Sequence, residues 1–435
     1  MKFAYWISQC APTSVVAIKS ALGLYQLCVT LVLTAVLQTG SSAAPRRTVA
    51  PDPVSVHSLQ MLSPGPTGIT SYNQLMGAKP YTVSIDDRDA EITPGKHTFR
   101  GVAKGMHNVA IVCPAGGKWF MTQPAPDGSF SAEVDVPDLT GPLSVDVYAW
   151  DTGPNVFPYT VTIDQRFDLF VKGHPKASPT AAPFGLKLVW SDEFDEPLSA
   201  SSSQHQDAKW FAGGKPSATG SQYSDAFFVS KQDKRNPFFV KDGFLRIRAV
   251  HTIPDEHPAA AWWSGHLSTG FPDETASIQL RTGYAEVRMK VPQGRGTWPA
   301  FWLMDSASTL PSKRYGAVEI DAIEAYGHDP TMYMATEHQW PATPEKDGGH
   351  VFQTSKVYRD PKTADDFHTY GVRLTETEVV WYFDLEEVYR APLYRARLVS
   401  PFYLMLDLAM GGGWPITVPP SGYYDLWIDY VRVYK

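Results

Sequence analysis

The sequence predicts an all-β chain of two successive sandwiches, and three observations carry that expectation. Short apolar runs alternating with period two recur from about residue 80 to the C-terminus. Pro (36), Tyr (21), Phe (21) and Trp (13) are abundant while charged residues make up 19%, which fits many short strands and flat aromatic surfaces. Helix-length periodicity is hard to find after the N-terminal segment. The 435 residues suffice for two or three cores. A balance of 38 − 45 = −7 lacks the basic footprint of a nucleic-acid binder, so no nucleic-acid partner is expected.

Residues 1–43 read as a secretory signal: Lys2 and Lys19 precede an apolar run from Ala21 to Leu37, and the small residues Gly40-Ser41-Ser42-Ala43-Ala44 follow. Cleavage is expected after Ala43; the alternative is an uncleaved anchor, since the run approaches spanning length. Signal removal would leave no stable membrane span and a secreted protein, extracellular or periplasmic. Cys10 and Cys28 would leave with it, so Cys113 has no disulfide partner and is expected to pack as a small hydrophobe.

Residues 44–65, rich in Pro, Ser and Val, read as a tether. Residues 66–171 hold the runs Tyr81–Ile85, His107–Val112 and Leu143–Tyr148, with Gly116-Gly117 and Asp127-Gly128 at turn positions. The expectation there is a small immunoglobulin-like β-sandwich. A linker, 172–183, follows with three prolines. Residues 184–435 alternate again at Phe244–Ala249, Tyr284–Lys290, Val379–Phe383 and Asp429–Tyr434, enough strands to close a larger double sheet or barrel.

The chemistry-bearing segment is Ala317-Val318-Glu319-Ile320-Asp321-Ala322-Ile323-Glu324-Ala325. Side chains two apart share a strand face, so Glu319 and Asp321 point together, whereas strict alternation would send Glu324 across the sheet. One bulged residue between Asp321 and Glu324 restores the parity and gathers three carboxylates. Neighbouring carboxylates drive one of their number toward the neutral form. That separation is what a retaining glycosidase needs, with one ionised nucleophile and one protonated acid. Spacing alone leaves an acidic solvated face or a cation-binding strip equally open.

The segment resembles the catalytic signature of glycoside hydrolase family sixteen in its bulged, laminarinase-type form, Glu-x-Asp-x-x-Glu. The resemblance covers 186–435 through ordered blocks: Leu188–Asp195, Ser264–Thr269, Gly283–Pro292, Gly296–Leu303, Asp366–Tyr370, Pro401–Leu404, Gly411–Pro415 and Asp429–Tyr434. It implies a β-jelly-roll sandwich, with Glu319 as nucleophile, Glu324 as acid/base and Asp321 orienting Glu319. It also implies a polysaccharide cleft with Trp298, Trp302, His338 and Trp414 as candidate sugar contacts. Trp298 is favoured as a platform, Trp302 is divided between platform and core, and His338 between cleft and internal hydrogen bonding. Trp262 and Trp263 stay open, and His368 is expected to be structural. A structural calcium held by Asp429 and a Gly243 carbonyl is a further implication of the resemblance, while catalysis itself would require no cofactor. Asp407 departs from the asparagine that many relatives carry, and the loop Gln339–Gly349 has no safe counterpart.

The resulting expectation is a secreted, endo-acting, retaining β-glycan hydrolase, monomeric, acting on β-1,3- or mixed-linked β-glucan. The alternatives are an exopolysaccharide-processing glycanase or transglycosylase of the same family, and a non-catalytic carbohydrate-binding surface protein.

Overall fold

The structure is a computed structural model describing residues 82–435 apart from 87–89, 115–117, 151–162, 173–181, 204–206, 214–221, 252–260, 307–315, 342–348, 360–362, 395–399 and 420. The expected signal, tether and most of the linker lie outside the described residues, as do Gly116-Gly117, Cys10 and Cys28. Among the described residues there is no α-helix, and no helix long and apolar enough to cross a membrane.

Near the N-terminus, a three-stranded sheet (Thr82–Ile85, Gly95–Lys104, Ser129–Val136) faces a five-stranded one ordered Glu91–Ile92, Ile163–Val171, Gly141–Trp150, Asn108–Cys113, Lys118–Thr122. Strand Ser129–Val136 alternates exposed and buried at every residue, because Phe130, Ala132, Val134 and Val136 fill the space between the sheets. Cys113 joins that core, where burial pushes its thiol up to about 12. Asp127-Gly128 makes the expected turn: Gly128 has φ +90°, and the Asp127 carboxylate accepts from the Ser129 N–H at 2.9 Å.

The larger part is a jelly-roll sandwich of an eight-stranded and an eleven-stranded sheet. The eight-stranded sheet runs Ala200–Ser201, Trp210–Phe211, His266–Ser268, Phe402–Met410, Thr297–Asp305, Ala317–Ala325, Met332–Trp340, Val351–Tyr358. One of its faces contributes Phe301, Leu303, Ile320, Ile323, Leu404 and Leu406 to the main core. The other face carries a second cluster of Ala300, Trp302, Met304, Tyr403 and Met405. Both faces of Thr297–Asp305 are therefore apolar, which is why it reads as an unbroken hydrophobic run and not as an alternation.

The described residues all fall in one compact unit, in which the small sandwich packs on the outer face of the eleven-stranded sheet through Phe170, Phe244 and Trp427. Phe170 meets Phe244 and Trp427, each at 6.1 Å between ring centroids. The approach is close enough that a Cβ at Gly141 would fall 2.7 Å from the Phe244 ring. Polar groups close the seam: Lys290 Nζ donates to Ser144 Oγ (2.8 Å) and Asp168 Oδ1 (3.0 Å), and Trp427 Nε1 donates to Asp168 Oδ2 (3.1 Å). Arg166 bridges Asp146 and, at 3.0 Å, Asp365.

Candidate active site

The strand Ala317–Ala325 carries the site because its register slips once. Against the following strand, Asp321 pairs with Thr336 and Glu324 with Met334, two residues apart where three would be required. On the other side Asp321 faces Trp302, Ile323 faces Phe301 and Glu324 faces Ala300, which leaves Ala322 as the inserted residue. The slip keeps Ile320 and Ile323 in the core and turns Glu324 back to the face of Glu319 and Asp321.

Reading across the sheet, the site is three rows of neighbours on that face. One row is His266, Asp407, Ala300, Glu324 and Met334; the next is Ser268, Met405, Trp302, Asp321 and Thr336; the third is Tyr403, Met304, Glu319, His338 and Phe352. Adjacent members of a row lie about 5 Å apart, so each carboxylate has flanking groups fixed by register.

Each acid is held differently. Trp340 Nε1 donates to Glu319 Oε2 at 3.0 Å. Asp321, 2% exposed, lies 3.2 Å from His338 Nε2, and His338 Nδ1 meets His350 Nε2 at 2.9 Å. Trp298 Nε1 donates to Glu324 Oε1 at 3.2 Å. Burial raises the Glu324 carboxyl well above the ordinary carboxylate range, and the charges of Asp321 and Glu319 push it further; His338 and the Trp298 N–H oppose the shift only in part. Glu324 is therefore held toward its neutral, proton-bearing form.

This arrangement costs stability, and the sign can be worked out. A carboxyl whose folded value is raised is most compatible with folding when protonated, so the penalty is absent below the unfolded value near 4.5 and grows as pH rises toward the folded value. Glu324→Gln removes the charge and is expected to stabilise the fold by about 1–2 kcal/mol at neutral pH, and not at pH 4. Thermal unfolding of both proteins at the two pH values checks this; equal midpoints at neutral pH would contradict it.

The expected aromatic contacts separate into two groups. Trp302, 4% exposed, spends its N–H on Asp407 at 2.8 Å and packs with Ala300, Met304, Tyr403 and Met405, while Trp298, favoured above as a sugar platform, is 8% exposed and packs into the main core. Gly412, with φ +59°, passes so close that a Cβ there would lie 2.9 Å from the Trp298 ring. Trp414 is 48% exposed and stands 4.3 Å from His328, with Tyr326 between this pair and Trp298, on which Tyr326 stacks at 5.9 Å. Trp262 is buried in the main core, and Trp263 is buried under the Arg235 guanidinium. His368 Nδ1 donates to the Asp384 carboxylate at 2.8 Å, away from the three rows.

Asp407 has a use for its carboxylate, since an acceptor is what the Trp302 indole requires. Trp340, His350 and Tyr326 were missed in the sequence. Trp340 and Tyr326 were findable by parity, each lying two residues from a named group, His338 and Glu324. His350 had no such signal, because it reaches the site from the next strand.

Ligand atoms of Glu319, Asp321 and His338 lie within 4.8 Å of one another, a set that could hold a metal ion. At the expected calcium position, Asp429 is already paired with Arg288 and Gly243 lies in a turn with φ +81°. One carboxylate shared with a guanidinium does not meet a calcium ion's demand for six or more oxygens, so these two residues alone do not fit that ion.

Comparison with known proteins agrees with the geometry. Residues 266–430 match the model of glycosyl hydrolases family 16. A glucan endo-1,3-beta-glucosidase A1 of Niallia circulans is 28% identical over 58% of this chain and 38% of its own length. An endo-1,3-1,4-beta-glycanase EglC of Rhizobium meliloti (strain 1021) is 34% identical over 46% of this chain and 40% of its own. The chain thus spans about two fifths of the length of these two relatives. A beta-glucanase of Rhodothermus marinus is 29% identical over 57% of this chain and 85% of its own length. The segment matched to glycosyl hydrolases family 16 carries the bulged Glu-x-Asp-x-x-Glu strand and the rows on either side of it, so the similarity falls on the site itself.

Proposed function

We propose that residues 184–435 act as an endo-acting, retaining β-glycan hydrolase on β-1,3- or mixed-linked β-glucan. The observation that carries the reading is the single bulge that gathers Glu319, Asp321 and Glu324 on one face, where burial and neighbouring charge raise the Glu324 carboxyl toward its protonated form. In the first step Glu319 attacks the anomeric carbon, the glycosidic C–O bond breaks, and Glu324 gives its proton to the departing oxygen. In the second, water attacks the same carbon, its proton passes to Glu324, and the bond to Glu319 breaks. Asp321, between them and against His338, orients Glu319. Exposed Trp414, with His328 and Tyr326, offers the flat faces on which pyranose rings rest.

The substrate class is supported by the relatives, a glucan endo-1,3-beta-glucosidase and an endo-1,3-1,4-beta-glycanase. A polymeric substrate also fits export by the N-terminal segment. Incubation with laminarin, lichenan and an unlike β-glycan, with linkage analysis of products, tests the substrate. Proton NMR during early turnover is expected to show the β-anomer first. Release of the α-anomer first, or no release from any polymer, would overturn the reading.

A further inference from the structure

Trp340 lies outside the Glu-x-Asp-x-x-Glu motif, yet its indole N–H reaches Glu319 Oε2 at 3.0 Å. The ring that carries this donor is locked. It stacks on His350 with centroids 3.8 Å apart and planes 9° from parallel, and His350 in turn bonds His338 at 2.9 Å, which faces Asp321. A continuous chain of contacts thus runs Glu319, Trp340, His350, His338, Asp321, tying residues on both sides of the 341–349 connection to two of the three acids. Trp340 is itself 38% exposed, so packing alone gives little reason for its fixed pose.

From this geometry, and resting on the double-displacement reading above, we propose that Trp340 is a positioning residue for the second chemical step, with His350 as its brace. The hydrogen bond runs to Oε2, which leaves Oε1 to attack. When the C1–Oε1 bond forms, the carboxylate becomes an ester and its carbonyl accepts more weakly. When water attacks C1 and that bond breaks, the electron pair returns to Glu319 and the N–H bond regains full strength. A donor that strengthens as the leaving carboxylate appears accelerates its departure. Removing it slows breakdown of the glycosyl-enzyme more than its formation.

The test uses the full chain and a dinitrophenyl β-glycoside of a 1,3-linked glucose disaccharide, whose leaving group needs no proton. Trp340→Phe keeps an aromatic ring on His350 and deletes the N–H. The expected result is a fall in kcat of about 10- to 100-fold with a parallel fall in KM. A covalent adduct of one disaccharide mass should accumulate in intact-protein mass spectrometry. His350→Ala, which keeps the N–H and removes its brace, is expected to give the same adduct with a smaller fall in kcat. Unchanged kcat in Trp340→Phe, or a lower kcat without adduct in both variants, would overturn the proposal. Glu319→Gln run alongside separates the two levels: if it retains full turnover the double-displacement reading itself fails, whereas an inactive Glu319→Gln beside an unaffected Trp340→Phe defeats only the role of Trp340.

Discussion

Glu319→Gln is expected to lower turnover of β-glucan by about 10⁴-fold or more while leaving oligosaccharide binding within a few-fold. The amide is isosteric, so the packed cluster of Trp302, Met304 and Tyr403 stays in place, and only the charged carboxylate that attacks the anomeric carbon is lost. Glu324→Gln should behave differently. It removes the proton donor, so cleavage of the polymer falls by about 10²–10⁴-fold, yet formation of the glycosyl-enzyme from a dinitrophenyl glycoside persists. Azide, supplied as a small nucleophile that needs no general base, should then restore turnover and yield a β-glycosyl azide. The pH profile follows from the same residue. Because burial and the charges of Asp321 and Glu319 raise the Glu324 carboxyl, the basic limb of kcat/KM in the wild type should lie well above the ordinary glutamate range. With the dinitrophenyl substrate that limb should vanish in Glu324→Gln. Equal polymer turnover in the wild type and Glu319→Gln would remove the nucleophile from the proposed scheme.

Much of this was legible in the sequence because strand parity is a local rule. The run Phe244–His251 alternates in sequence as it does in the sheet, whereas Gly283–Lys290 and Glu378–Phe383 are covered on both faces and are buried at almost every position. The bulge was legible by arithmetic, since three acids at spacings of two and three reach one face only if a residue is inserted. Partners across strands were not. Parity says that Trp340 shares a face with His338, but not that its N–H turns toward Glu319, because that depends on the register of the pairing between Ala317–Ala325 and Met332–Trp340. Likewise Trp298 and Trp302 were readable as aromatic positions near the acids. That their N–H groups serve Glu324 and Asp407 depends on side-chain poses set by Gly412 and by the strand Phe402–Met410. Contacts between the two sandwiches were the least legible, since Asp168 and Lys290 are 122 positions apart and each looks like an ordinary outward-facing charge.

That seam yields the second large effect: Asp168→Ala is expected to destabilise the chain by about 3–5 kcal/mol. Lys290 is 3% exposed, and its ammonium is satisfied by Asp168, Ser144 and the Pro142 carbonyl. Removing the carboxylate leaves a buried positive charge with neutral acceptors only, and also strips the acceptor from the Trp427 indole. Asp168→Asn, which keeps an acceptor, should cost less. The double variant Asp168→Ala/Lys290→Met should recover most of the loss, because an apolar side chain suits a seam already lined by Phe170, Phe244 and Trp427. The pH dependence has a definite sign. Burial alone would raise the Asp168 carboxyl, but Lys290, the Ser144 hydroxyl and Arg166 together hold it below its usual value. A depressed acid stabilises the fold above its unfolded value and loses that contribution as pH falls through the folded one, so wild type and Asp168→Ala should converge in acid. Denaturant midpoints at neutral and acidic pH read all of these together. If the small sandwich were instead a loosely hinged appendage, Asp168→Ala would leave the unfolding of the jelly roll unmoved. The close fit of Gly141 against Phe244 argues for the opposite result, with the two sandwiches melting as a single cooperative body.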